Sequence, residues 1–219
     1  VAPPVAVQDF TPGEGERDGF LVVSRFVPYK RVELIAQAFR EMPQHQLTIV
    51  GAGTNALLIA KAVEGAPNIT LQPPVPHTEL VALMRSARAM VFAAEEDFGI
   101  TMVEAQACGT PVIAFCEGGA VDIFEDAAPT GVLFEAQSVP SIITALGRFV
   151  ALEQHLTAQI CRANALRFSE EAFRERFMGA VSAALAQHGP SGNLGADGSY
   201  SAVERDDIKS NHEMVQLNV

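Results

Sequence analysis

The chain of 219 residues has no tryptophan, two tyrosines and three cysteines. Three cysteines, Cys108, Cys116 and Cys161, make neither an even disulfide framework nor a metal-ligand spacing, so reduced thiols and a cytoplasmic location are expected. No apolar run is long enough to span a bilayer, and no signal-peptide pattern is visible. Cations are scarce as well. Lys and Arg number 15 against 26 Asp and Glu, a net charge of −11 that excludes a sequence-independent nucleic-acid binder. A few local cations can still bind a diphosphate within an acidic protein. An initiator methionine is missing too: the start, VAPPVAVQDF, leads to the expectation of a fragment whose preceding domain is absent.

What is present is a globular composition, 48% hydrophobic and 19% charged, on a chain long enough to bury a core. Short runs rich in Val, Ile and Phe predict strands at Phe20–Ser24, Gln46–Val50, Asn68–Leu71, Ala89–Phe92, Pro111–Phe115 and Gly131–Phe134. Between them, Leu34, Ile35, Ala38, Phe39 and Met42 recur at helical spacing, as do Leu80, Leu83 and Met84. This alternation predicts an α/β fold, a Rossmann-like parallel sheet with helices on both faces, and ligands beyond the strands' carboxyl ends. From Val139 to Gln187 the pattern is helical, with Phe173, Phe177, Ala180, Val181, Ala184 and Leu185 forming one stripe. Residues 188–219 are polar, Gly/Ser-rich and acidic, and read as a disordered tail.

Three constellations could carry chemistry. Arg25 and Lys30 follow a strand end, with a helix expected to begin near Pro28 or Tyr29. A guanidinium and an ammonium there suit a diphosphate, although two surface cations in a loop give the same pattern. Gly51-Ala52-Gly53 follows the second strand and reads first as a strand-to-helix turn. As a dinucleotide fingerprint it has alanine at position 56 and no ribose-binding acid on the next strand, which disfavours an NAD-type oxidoreductase. The third is EEDFGITMVEAQACGTPVIAFCEGGA, from Glu95 to Ala120, with Glu96 and Glu104 eight positions apart. Glu104 has two readings: a ligand-binding carboxylate, or the acid of a capping box Thr101-Met102-Val103-Glu104. His77 reads as a general base or, more simply, as a surface histidine capping a helix.

PPV near the start, VVSRFVPYKR, IVGAG, EEDFG, GTPVIAF, GG, TGVLF and CRANALRFS occur in order from about Pro3 to Phe177. Together they resemble the C-terminal, donor-binding half of retaining glycosyltransferases of family 4, the group 1 type with a GT-B fold. The resemblance implies that Arg25 and Lys30 hold the diphosphate of a nucleotide sugar and neutralise the departing phosphate. It implies that Glu96 contacts hydroxyls of the donor sugar, so that Arg25, Lys30 and Glu96 are the catalytic set. Glu104 would chelate the ribose. Asp97, Phe98, Gly99, Ile100 and Thr101 would present backbone amides, with Gly99 letting the backbone approach and Asp97 capping or orienting the loop. Gly51 and Gly53 would support the nucleotide. The base would pack on Gln72–His77, where Gln-Pro-Pro departs from the glycine of many relatives.

The YKR and EEDFGI wording is similar to bacterial mannosyltransferases of polysaccharide assembly, which implies GDP-mannose as donor, with a UDP-sugar as the alternative. No cofactor or metal is implied. Partners would be a glycan or lipid-linked acceptor and an N-terminal acceptor domain that this chain lacks. Residues 1–187 would form the nucleotide-sugar-binding domain, with 169–187 the helix that crosses back to that missing domain. A non-catalytic nucleotide-sugar binding module is the rival reading.

Overall fold

The structure, a computed structural model, describes residues 1–124 and 129–187. The expected disordered tail, 188–219, lies outside the described residues. Val1–Met178 form one compact unit; of the second, Gly179–Val219, only the helical residues 179–187 are described.

A single parallel sheet organises the first unit. Its strands are β1 (Phe20–Arg25), β2 (Leu47–Ala52), β3 (Ile69–Gln72), β4 (Ala89–Phe92), β5 (Val112–Phe115) and β6 (Gly131–Phe134), in the order β3-β2-β1-β4-β5-β6. Every expected strand is present, two with the expected bounds and four displaced by a residue or two. Parallel strands need crossovers, and both faces of such a sheet are covered, so the strands read as nearly unbroken apolar runs. In β4 all four residues are buried.

Alternation within each strand divides the core in two. Phe20, Val22, Leu47, Ile49, Val91 and Ile113 face one layer, packed against α1 (Val32–Arg40), α2 (Ala56–Val63) and α6 (Val139–Leu152). Leu21, Val50, Met90, Phe92, Val112 and Ala114 face the other. That layer holds α3 (His77–Ser86), α4 (Ile100–Ala107), α5 (Gly119–Ile123) and α7 (Ala158–Leu166). Cys108 and Cys161 are buried in or beside it, and burial pushes their thiols up to about 11 and about 12. They remain thiols at neutral pH.

Two local expectations change. The helix after β1 begins at Val32 instead of Pro28 or Tyr29. Pro28–Lys30 form a 3-10 turn, and Arg31 follows with φ 52 before α1 starts. Proline fixes the opening φ, but a left-handed residue cannot lie within a right-handed helix. Arg31 is the one non-glycine with positive φ among the described residues, a conformation that costs about 1 kcal/mol or more. The last helix, α8 (Glu170–Gln187), forms as expected, but apolar and charged residues are mixed around it in place of the expected stripe, and Phe177 and Met178 are about half exposed at 48% and 55%. Phe173 and Phe177 instead stack on each other, ring centroids 5.6 Å apart.

Candidate functional site

The strand order reverses direction between β1 and β4, the switch point at which open α/β sheets bind ligands. A cleft of about 400 Å³ opens there, beyond the carboxyl ends of both strands. Arg25, Lys30, Glu96, Asp97, Phe98, Gly99, Ile100 and Thr101, all expected site residues, line it. Tyr29, which the sequence did not single out, lines it as well, half exposed. A second cavity of about 320 Å³ shares Ser24, Arg25 and Thr101 with the first and extends between Gly51 and Pro74. The two form one groove along the sheet end.

The loop between β4 and α4 carries most of the site, and it is held from three sides. Gln137 donates to the Ala93 carbonyl at 2.7 Å. The Gly119 amide donates to the Glu96 carbonyl at 2.7 Å, and Glu96 forms an isolated bridge with Gly118. The Phe98 ring meets Phe168 edge-on at 5.4 Å. A methyl group on Gly119 would overlap the Phe98 backbone, and one on Gly118 would overlap the Glu96 carbonyl. The glycine doublet is therefore the seat of the loop. Its signal in the sequence was the doublet itself, noted there only as one word of the family resemblance.

Gly99, with φ 93, is the N-cap of α4, and no side chain caps that helix. Asp97 thus does not take the expected capping role. An uncapped helix start leaves its first amides, at Ile100 and Thr101, available to an anion in the cleft. Here glycine's left-handed conformation is the requirement, since Gly99 must turn the chain sharply into the helix.

Gly51 and Gly53 are points of close backbone approach, and Gly51 also lines the second cavity. A side chain on Gly51 would overlap the Ser24 carbonyl, and one on Gly53 the Phe26 backbone. They let the loop after β2 close against the loop after β1, which fixes where Arg25 leaves the sheet.

The capping-box reading of Glu104 fails, because the N-cap lies at Gly99 and Glu104 is the fifth helical residue, too far along to reach back. Its carboxyl is half-buried one turn beyond Thr101 and lines neither cavity. Burial pushes its pKa upward, opposed by the nearby His77 imidazole and a hydrogen bond with Thr101. His77 is the first residue of α3, after the N-cap Pro76, and meets the Phe10 ring edge-on at 5.1 Å. It is a surface histidine, as expected, but it begins the helix and does not cap it.

The charges of the cleft are unevenly committed. Arg25 is exposed at the end of β1 and forms no ion pair among the described residues. Lys30 is bonded through its Nζ to Glu96 Oε1, an ion pair spanning 66 positions of sequence that spacing could not reveal. No group of three His, Cys, Asp or Glu close enough to hold a metal occurs among the described residues.

Known proteins bear on this geometry. The family model for glycosyl transferases group 1 matches residues 8–167. D-inositol 3-phosphate glycosyltransferase of Mycobacterium tuberculosis is 30% identical over 139 residues, 59% of this chain and 29% of that relative. Sucrose-phosphate synthase from Thermosynechococcus elongatus superposes with a TM-score of 0.71 at 23% identity, covering 85% of this chain and 52% of that one. HepE from Anabaena, solved with UDP and glucose, gives 0.68 at 18% identity over 82% and 55% of the two chains. The chain thus spans less than a third of that curated relative and about half of these two solved structures. At such identities the superpositions show the fold.

Proposed function

The chain belongs to the glycosyl transferases group 1 family, and we propose that it is the donor-binding half of a retaining hexosyltransferase that uses a nucleotide-activated sugar. One observation carries this reading. Arg25, Lys30, the uncapped start of α4 and Glu96 converge on one cleft at the sheet's switch point. Two cations and free helix amides suit a diphosphate, and a carboxylate beside them suits sugar hydroxyls.

In the intact enzyme, Arg25 and Lys30 stabilise the leaving diphosphate and the amides of Ile100 and Thr101 bind its oxygens. These groups neutralise the departing charge, so the scheme needs no metal. Glu96 orients the hexose, while Glu104, swung from behind Thr101, holds the ribose. The base lies in the second cavity, against Pro74 and Val75. No residue of this chain acts as nucleophile. The acceptor hydroxyl attacks from the face that the nucleotide leaves, and positioning and electrostatic stabilisation carry the rate. A second, acceptor-binding domain reached through α8 completes the reaction on a cytoplasmic glycan or lipid-linked acceptor. The isolated chain then has negligible transferase activity.

The donor we favour is GDP-mannose, from the YKR and EEDFGI wording. A UDP-sugar is the second reading, favoured by the UDP and glucose held by HepE. Titration of this chain with GDP and UDP decides between them, with Glu104→Ala as control. Half a cleft binds at about 0.1–1 mM, or roughly 4–5.5 kcal/mol. Loss of the preferred nucleotide by one to two orders of magnitude in Glu104→Ala supports the ribose role. Absence of binding by either nucleotide at millimolar concentration rejects the donor site.

A further inference from the structure

We infer that Glu96, by trading its bond to Lys30 for the hydroxyls of a sugar, makes the cleft discriminate an intact nucleotide sugar from the bare nucleoside diphosphate. The inference rests on the donor-site reading above and adds a specificity that nothing in that reading requires.

The Lys30–Glu96 pair is asymmetric. The Glu96 backbone is pinned by the Gly119 amide and by its bridge to Gly118. The carboxylate therefore hangs from a fixed backbone point, on a side chain one rotatable bond shorter than that of lysine. Lys30 ends a 3-10 turn and reaches the pair through four rotatable bonds, its ammonium 4.9 Å from the centroid of the Tyr29 ring. When the pair opens, the lysine moves. Both side chains are only 17% exposed, so solvent replaces a lost partner poorly.

The cleft's charged lining is two cations, Arg25 and Lys30, against two carboxylates, Glu96 and Asp97. While Lys30 is held by Glu96, an entering diphosphate finds Arg25 as the uncommitted cation. Drawing Lys30 onto a phosphate leaves a partly buried carboxylate without its partner, a penalty that opposes binding. A bare nucleoside diphosphate brings nothing to offset that. A diphosphate carrying a hexose brings hydroxyl donors, and they replace the ammonium at Glu96 as it departs. Release of Lys30 is thereby coupled to the presence of the sugar, and the product, having lost its sugar, is held less tightly than the substrate.

The test uses this chain with GDP and GDP-mannose, and with UDP and UDP-glucose, titrated into the unmutated protein, Glu96→Gln, Lys30→Met and the double variant. Glu96→Gln keeps the shape and removes the charge. It is expected to bind the preferred nucleoside diphosphate about threefold to tenfold more tightly and to lose most of the preference for the sugar nucleotide. In the Lys30→Met background the same substitution is expected to give no such gain, because the competition has gone. Unchanged diphosphate affinity in Glu96→Gln would mean that Glu96 touches only the sugar, and a fall would mean that it holds Lys30 in place for the phosphate; either overturns the inference while leaving the donor site intact. If the unmutated chain binds neither nucleotide, the donor-site reading fails and this inference with it.

Discussion

Two ion pairs stand at opposite ends of one sheet, and they are built differently. At the amino ends of the strands, Arg88 grips Glu153 with two parallel hydrogen bonds, Nε to Oε1 at 2.8 Å and Nη2 to Oε2 at 2.5 Å. The same guanidinium lies 5.2 Å from the Phe20 ring centroid, and its bond to Glu153 raises its pKa despite partial burial. At the carboxyl ends, Lys30 meets Glu96 through one oxygen. A planar fork fixes geometry, whereas an ammonium is a point charge that readily changes partner. One end of the sheet is therefore closed only in the sense that its charges are committed to each other, since a cavity of about 440 Å³ lies beside the pair. The other keeps its charges exchangeable, its helix start uncapped and one residue, Arg31, in a left-handed conformation.

The contrast breaks most visibly at the closed end. Asn68, buried ahead of β3, donates to the carbonyls of Phe39 at 2.8 Å and His45 at 2.9 Å. Asn68→Ala leaves both without that donor and is expected to cost about 2–4 kcal/mol of stability, measured by urea unfolding. Nucleotide affinity of the folded fraction should stay unchanged. A parallel loss of binding would show that the two ends are mechanically coupled.

Lys30→Met reverses the pattern. Loss of a charge-assisted phosphate bond is expected to weaken binding of the intact nucleotide sugar about tenfold to a hundredfold, or about 1.5–3 kcal/mol, and of the bare nucleoside diphosphate less, with a smaller loss of stability. Equal losses of binding and stability would make the pair structural and erase the distinction. Arg88→Met is the matching control. It should lower stability by about 1 kcal/mol, a shift of 2–4 °C in Tm, and leave nucleotide binding alone.

The closed end was largely legible in the sequence, because strands and their covering helices are written in local apolar patterns. Ala89–Phe92 and Gly131–Phe134 were read to the residue. The cleft residues were legible only through a family's motif, and their arrangement was not. A pair 66 positions apart leaves no spacing signal, and a loop seated on Gly118 and Gly119 is a tertiary contact. Thr101 and Glu104 matched a capping box in sequence, but the glycine two positions earlier already begins the helix. The 3-10 turn at Pro28–Lys30 was hidden because nothing in the letters marks Arg31 as left-handed.

Glu104 gives the smallest effect on stability and sharpens the comparison furthest, because it separates a residue kept for stability from one kept for binding. Burial is the leading cause of its raised pKa, with His77 and Thr101 opposing it. The folded protein therefore disfavours the carboxylate more than the unfolded chain does, where the group titrates at its ordinary value. Stability associated with Glu104 is fully present below that value and is lost as pH rises through the higher folded pKa. At pH 7 the charged side chain is a liability to the fold. Glu104→Gln should then melt slightly above the unmutated protein at pH 7 and level with it near pH 4, while losing affinity for the nucleotide. A helix-capping role predicts the reverse at neutral pH, a loss of about 1 kcal/mol with binding intact. Melting curves of both proteins across this range, set beside their nucleotide titrations, distinguish a carboxylate retained at a cost to the fold from one that supports it.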